Sequence, residues 1–346
     1  MIVSFWIVLQ ALFPALHPEE VAMVVHESNE PVTLSFAGDV IAEQSTAFTI
    51  ESNPAQPFTY VAPYFERSHY SVVNLETPVT HRGTAFPKIY NFRASPKLLD
   101  GLQHSGVDLV SLANNHTLDY GEIGLKDTLD QLTQKNLAYM GAGVNESAAY
   151  KEHIVTLKGR RIAFLAFSHV LPSVSWYAER NQPGIASGYQ LDRAAERVRA
   201  VQEQNDYVIV YYHWGEERAV HFNERQQNIA HTLIDEGADA VIGAHPHVLQ
   251  GFEYYKGKPI AYSLGNFLFP DYVEGRTAET GILTLTLEGN EIRSSFTPFV
   301  IQDDVIHPLS NSETMNQCIW LETLSEHIDL SQDGESCLIQ QERNGS

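Results

Sequence analysis

Short apolar runs, each closed by a polar cluster, recur along the chain. Residues 31–37 (PVTLSFA) run into Gly38-Asp39, residues 71–73 into Asn74-Leu75-Glu76, and residues 108–112 (DLVSL) into Asn114-Asn115-His116. Residues 207–212 (YVIVYY) end at His213, and residues 239–242 (DAVI) at Gly243-Ala244-His245. Runs this short and this rich in β-branched and aromatic residues predict buried strands. Between them, apolar spacing predicts helices over 121–132, 191–204 and 223–236. Hairpins are predicted around Gly159 (154–157 with 161–167), around Gly257 (248–255 with 259–264) and at Gly289-Asn290 (282–287 with 292–298). Strands alternating with helices, plus hairpins, predict an α/β domain with mixed sheets. The division expected is an apolar leader or anchor with a linker over 1–30, one domain over 31–307, and a peripheral segment over 308–346. In that last segment polarity rises and strand signals fade, which predicts a peripheral helix or a partly ordered tail.

Composition narrows the function classes. With 346 residues, 43% hydrophobic and 19% charged, the chain has enough apolar material for a large core and no signature of wholesale disorder. Its 22 basic against 43 acidic residues leave a formal charge of -21, which argues against nucleic acid as a partner because phosphate binding needs a clustered basic surface. An anionic substrate would be repelled by that field, so a local Arg, Lys or metal charge has to override it. The first sixteen residues, MIVSFWIVLQALFPAL, carry no charged side chain. They are short for a membrane span but long enough for a signal h-region, so the expectation is export or tethering at the extracellular face of a membrane; a buried N-terminal segment is the alternative. Cys318 and Cys337 either pair across a short loop or remain two thiols, and neither resembles a metal pair.

The polar clusters carry the candidate chemistry. Ligand sites in open α/β sheets form at the carboxyl ends of strands, so clusters closing five strands can converge. Gly38 permits a tight turn before the Asp39 carboxylate, which suits a hard or borderline cation. Asn74 and Glu76, two apart in an extended backbone, point to one face. The Asn115 amide oxygen can ligate a metal, and His116 beside it can give a proton to a leaving oxygen, with Asp119 three residues on to orient the ring or cap a helix. His213 closes the most apolar strand, with Glu217 nearby as an acceptor or a solvated charge. His245-Pro246-His247 is the most specific single feature, two imidazoles held by a proline so that both can face one ion. Arg93 is a candidate anion clamp or a surface ion-pair partner, Asn266 a pocket wall or a helix cap, and His169 a rim candidate.

Together with Ser263-Leu264-Gly265-Asn266-Phe267, these motifs resemble, in order and over residues 32–298, the CapA family associated with bacterial poly-γ-glutamate capsule synthesis. That family is similar to calcineurin-like metallophosphoesterases. The resemblance implies a metallophosphatase-like two-sheet sandwich flanked by helices and a centre of two divalent cations. Asp39 would be the first metal carboxylate, Glu76 the bridging carboxylate, Asn115 the amide ligand, and His213, His245 and His247 the imidazole ligands, with His116 as general acid. Mixed oxygen and imidazole donors suit Mn, Fe or Zn. Two positions depart from the metallophosphoesterase pattern: Asp39 is followed by Val40 and Ile41 where an Asp-x-His is usual, and the bridging residue is Glu rather than Asp. The function implied is hydrolysis of a phosphoester or an anionic polymer within a membrane-bound capsule synthesis complex; the alternative is a non-catalytic binding component of the same complex.

Overall fold

The computed structural model describes residues 30–342, and the leader expected at the N-terminus lies outside them. Two mixed β-sheets pack face to face. The first holds β1 (Val32–Val40), β2 (Tyr70–Leu75), β3 (Leu109–Ser111) and β4 (Ala138–Met140), which run parallel, with β1 at the centre. The second holds β6 (His153–Leu157), β7 (Arg160–Ser168), β9 (Tyr207–His213), β10 (Ala240–Ala244), β11 (Phe252–Tyr255) and β12 (Lys258–Ala261), in the order β11-β12-β10-β9-β7-β6. Between them in sequence, β5 (Ala142–Gly143) and β8 (Gly184–Ile185) form a small separate pair. On the far side of β1, the first sheet continues antiparallel through β14 (Glu279–Glu288) and β15 (Glu291–Gln302), while β13 (Asn266–Leu268) pairs parallel to β1 and β16 (Val305–Pro308) pairs with β15.

Alternation along the strands explains the layers. In β9, Tyr207, Ile209 and Tyr211 enter the core between the sheets, and Val208, Val210 and Tyr212 enter a second core under the helices Leu191–Gln202 and Glu224–Asp235. A strand buried on both faces has no polar positions to alternate with, which is why YVIVYY reads as an unbroken apolar run. The outer face of the first sheet is covered likewise by the helices Gln44–Ser52, Lys97–His104 and Gly121–Gln134. The result is the expected two-sheet sandwich flanked by helices.

Two of the differences from the sequence reading bear on the termini of the sheets. Strand signals fade after Pro308, yet β17 (Ile328–Asp333) and β18 (Ser336–Gln341) form a hairpin that extends the first sheet beyond β15. These are outer strands with only alternate residues buried, so their apolar content is low. Cys318, on the helix Asn311–Thr323, is disulfide-bonded to Cys337 on β18 with a Cα–Cα distance of 5.5 Å, which resolves the two cysteine alternatives. The second difference is that regular pairing in the hairpin around Gly257 starts at Phe252, later than expected; residues 249–251 pair with 262–264 only through an isolated bridge and single hydrogen bonds, and Gly251 lies close against the Leu324 carbonyl.

Candidate metal centre

The first sheet does not present Asp39 by simple alternation. Leu34 and Phe36 face the inter-sheet core, but Ala37 and Val40 both face the helices, and the register of β1 against β2 shifts between Phe36 and Asp39. This bulge turns Asp39 inward. Gly38 makes it possible, since a Cβ there would collide with the carbonyl oxygen of Gly265. The Ala37 carbonyl is met from the other sheet by Tyr211, whose Oη donates to it at 2.7 Å. Asp39 then lies in register between Asn74 on β2 and Asn266 on β13, all three fully buried.

The remaining groups converge on that carboxylate. Nδ2 of Asn74 donates to Asp39 Oδ1 at 2.7 Å, His247 Nδ1 stands 3.2 Å from Asp39 Oδ2, and the backbone N–H of His245 points at the same oxygen from 3.3 Å. His213 Nε2 lies 2.7 Å from Asn115 Oδ1 and 3.3 Å from Glu76 Oε1. Asn266 Oδ1 is 2.9 Å from His247 Nδ1. Both oxygens of Glu76, and Nδ1 of His245, are buried without a hydrogen-bond partner among the described residues. Orphaned acceptors of this kind are costly, and a cation is the partner such a donor set fits. Among the described residues, three groups have ligand atoms mutually within 4.8 Å: Glu76, His213 and His245; Asp39, Glu76 and His247; and Glu217, His245 and His247. Glu76 belongs to the first two, so it occupies the position of a bridge. His245 and His247 are divided between those two as well as sharing the third.

Backbone strain marks the same place. His245 and His247 have φ values of 98° and 58°, in the left-handed region that costs a side-chain-bearing residue energy. Pro246 between them is consistent with a rigid turn, but that both histidines adopt positive φ was not legible from the sequence.

Electrostatics divides the imidazoles. Burial pushes His213 down to about 3, His116 down to about 4, and His245 well below its ordinary value. Burial also works against charge on His247, but Glu76 and Asp39 outweigh it and carry the ring up to about 9. Burial, with Asp39 alongside, holds the Glu76 carboxyl well above the usual range, whereas for Asp39 the burial is outweighed by the His247 hydrogen bond and charge and the net direction is down. His213 and His245 are therefore neutral donors already suited to ligation.

His116 sits at the edge of this group with Nδ1 2.8 Å from Asp119 Oδ2, the orientation expected from their spacing. Above the centre opens a cleft of about 800 Å³ whose walls include His116, Glu217, Arg218, His247, Asn266 and Tyr272. Glu217 is exposed there, at the mouth. The structure does not bring Arg93 to the cleft: Phe92 turns in to pack on His116 at 4.4 Å, so Arg93 turns out and stacks over Tyr120 at 4.5 Å. His169 stacks on Tyr189 at 4.1 Å in a separate cleft with Trp214 and Arg225.

Asn114, given no separate role from the sequence, and Lys88, which the sequence did not single out, complete the site. Asn114 donates to Asn74 Oδ1 at 3.1 Å and accepts from the N–H of His116, tying two clusters together. Lys88 reaches Asp119 from an irregular segment with no apolar pattern, so no sequence signal marked it.

The fold and site define an α/β sandwich protein with a buried carboxylate–imidazole pocket at the strand ends, compatible with a divalent cation. The family described as bacterial capsule synthesis protein PGA_cap matches residues 33–271, and the chain belongs to that family. It is 32% identical over 297 residues to the PGA biosynthesis protein CapA of Bacillus subtilis, covering 84% of this chain and 77% of that one. It is 31% identical over 308 residues to the capsule biosynthesis protein CapA of Bacillus anthracis (86% and 74% covered). A probable polyglutamine synthesis accessory protein of Mycobacterium tuberculosis is 31% identical over 277 residues (74% and 71% covered). Among solved structures, a 5'-nucleotidase from Candida albicans superposes with a TM-score of 0.42 at 11% identity, over 77% of this chain and 51% of that one.

Proposed function

We propose that this protein is a metal-dependent hydrolase that acts on a phosphoester or an anionic polymer during poly-γ-glutamate capsule synthesis. The observation that carries the reading is Glu76: a fully buried carboxylate with neither oxygen hydrogen-bonded among the described residues, shared between two groups of ligand atoms. Asp39, Glu76, Asn115, His213, His245 and His247 would hold two cations of the Mn, Fe or Zn type. Such ions supply Lewis acidity and an activated water. The chain's own residues would do the rest. Asn74 holds Asp39, Asn266 holds His247, and Asp119 holds His116 toward the cleft. Arg218 supplies the local positive charge that an anionic substrate needs against the acidic surface.

Export or membrane tethering, with work in a synthesis complex, belongs to the same proposal. The Cys318–Cys337 disulfide supports it, since disulfides persist in oxidising compartments. Among the described residues no helix is long and apolar enough to cross a membrane.

A second reading, a non-catalytic binding component of that complex, is favoured by Ile41. It packs against Phe92 and Phe269 where an Asp-x-His motif would place an imidazole. Elemental analysis of gently purified protein beside Glu76→Ala, with hydrolysis assayed across a panel of phosphoesters and carboxylic esters, separates the readings. Metal in the first protein, loss in the second, and turnover that follows the metal are expected. Bound metal without turnover would favour the binding component, and a metal-free wild type would overturn the centre itself.

A further inference from the structure

Glu217 lines the mouth of the cleft and makes no hydrogen bond or ion pair among the described residues. A free carboxylate on a surface is ordinary. This one, however, stands beside His245, a buried imidazole whose Nδ1 also has no partner among the described residues. Ligand atoms of Glu217, His245 and His247 lie within 4.8 Å of one another. His245 is grouped in turn with Glu76 and His213, and His247 with Asp39 and Glu76. Two carboxylates therefore serve the same pair of groups. Glu76 is fully buried and common to both, whereas Glu217 is exposed and adjoins one imidazole of each.

The main chain fixes that placement. The N–H of Arg218 donates to the Pro246 carbonyl at 2.7 Å, which ties the residue after Glu217 to the residue between the two histidines. The N–H of Trp214 donates to the Ala244 carbonyl at 3.1 Å, joining the same two segments at their start. Arg218 takes a φ of 63° to make its bond, a left-handed backbone that surrounding contacts have to sustain. Behind the loop, the buried Gln250 donates through Nε2 to the carbonyls of Ala219 at 2.8 Å and His221 at 3.3 Å. Its Oε1 accepts from the buried Gln226 at 2.9 Å. Position 217 is thus held on both sides, which is the pre-organisation a coordination site needs.

The Asp-x-His position that would have brought a further imidazole beside Asp39 holds Ile41, packed with Phe92, Phe269 and Ile301. The inference rests on the reading of the site as a metal centre: we propose that Glu217 is a cation ligand on the cleft side, supplying a donor that position 41 does not. A carboxylate oxygen added to imidazoles keeps the set suited to Mn, Fe or Zn. The exposed position also explains why the side chain is left without a protein partner. A carboxylate already bonded to a neighbouring arginine or amide would have to break that bond before it could ligate.

Metal affinity tests this without recourse to turnover, so a protein that hydrolyses nothing leaves the inference standing. Full-length protein stripped with chelator is titrated calorimetrically with Mn²⁺ and with Zn²⁺, and bound metal is counted by elemental analysis after dialysis. Wild type is compared with Glu217→Gln and with Glu216→Gln. Because Glu217 is exposed and unbonded, Glu217→Gln should melt as wild type does in chelator. It should weaken metal binding at least about tenfold, the lower bound for losing even a supporting partner of a ligand. Glu216→Gln removes the same charge one residue away, from a side chain that lines the separate cleft with His169, and should leave the affinity unchanged. Equal affinities in wild type and Glu217→Gln overturn the proposal, and so does equal weakening by Glu216→Gln, which would mark a general effect of charge. A wild type that binds neither metal overturns the metal centre itself, a result distinct from both.

Discussion

Nε2 of His213 stands 3.3 Å from Oε1 of Glu76, and neither oxygen of that carboxylate has a hydrogen-bond donor among the described residues. A buried acid left so bare destabilises the metal-free protein, and under the proposed function a cation would offset that cost. Glu76→Leu, which replaces the carboxyl with an apolar group of similar size, should therefore raise the stability of the metal-free protein by about 1–3 kcal/mol, the penalty of an unsatisfied buried group, while lowering bound metal. Thermal melts in chelator, paired with metal content, check both signs. A variant less stable than wild type in chelator would contradict this account of Glu76.

The bulge that aims Asp39 depends on a contact from the opposite sheet. Tyr211 is fully buried and its hydroxyl donates to the Ala37 carbonyl. Tyr211→Phe keeps the ring and removes only that bond, so it should cost about 1–3 kcal/mol by leaving a buried carbonyl unpaired. Because Asp39 is displaced with the bulge, metal affinity should fall as well. Urea unfolding and a metal titration measure the two effects separately.

The disulfide should matter for stability and not for the site. Cys318 and Cys337 are 19 residues apart in sequence, and neither lines the cleft. Reduction, or the double change Cys318→Ser with Cys337→Ser, should cost about 3 kcal/mol by the loop-closure relation while leaving metal content unchanged. Melts with and without reductant, with elemental analysis of both samples, test this.

Acid sensitivity should arise partly from His153. Its Nε2 lies 2.6 Å from the Tyr70 hydroxyl, across the space between the sheets, and burial lowers its pKa below the ordinary 6.5. A lowered histidine means that the unfolded chain binds the proton first as pH falls. The stabilisation is complete above pH 6.5 and is lost as pH drops through the depressed value. His153→Phe keeps a ring beside Tyr70 and removes the titration, so its stability should fall less steeply between pH 7 and 5. His116, His213 and His245 are shifted in the same direction, so the difference between wild type and variant is the quantity to measure.

The apolar runs by themselves determined the central strands of both sheets, because a strand buried on two faces must be apolar throughout, as 207–212 is. They also placed Asp39, Asn74, Glu76, Asn115, His116, His213 and His245 at strand ends, where chain direction and parallel pairing bring side chains together. The outer strands β17 and β18 stayed hidden because half of their residues face solvent. Only the tertiary structure decided the rest. The inward turn of Asp39 depends on a bulge against Gly265, and the positive φ values of His245 and His247 depend on strain that the surrounding packing sustains. Lys88 reaches the site, and Arg93 leaves it, according to how one irregular segment folds over Phe92 and Trp176. Periodicity encodes which face of an element is buried; it carries no record of contacts made by residues outside any period.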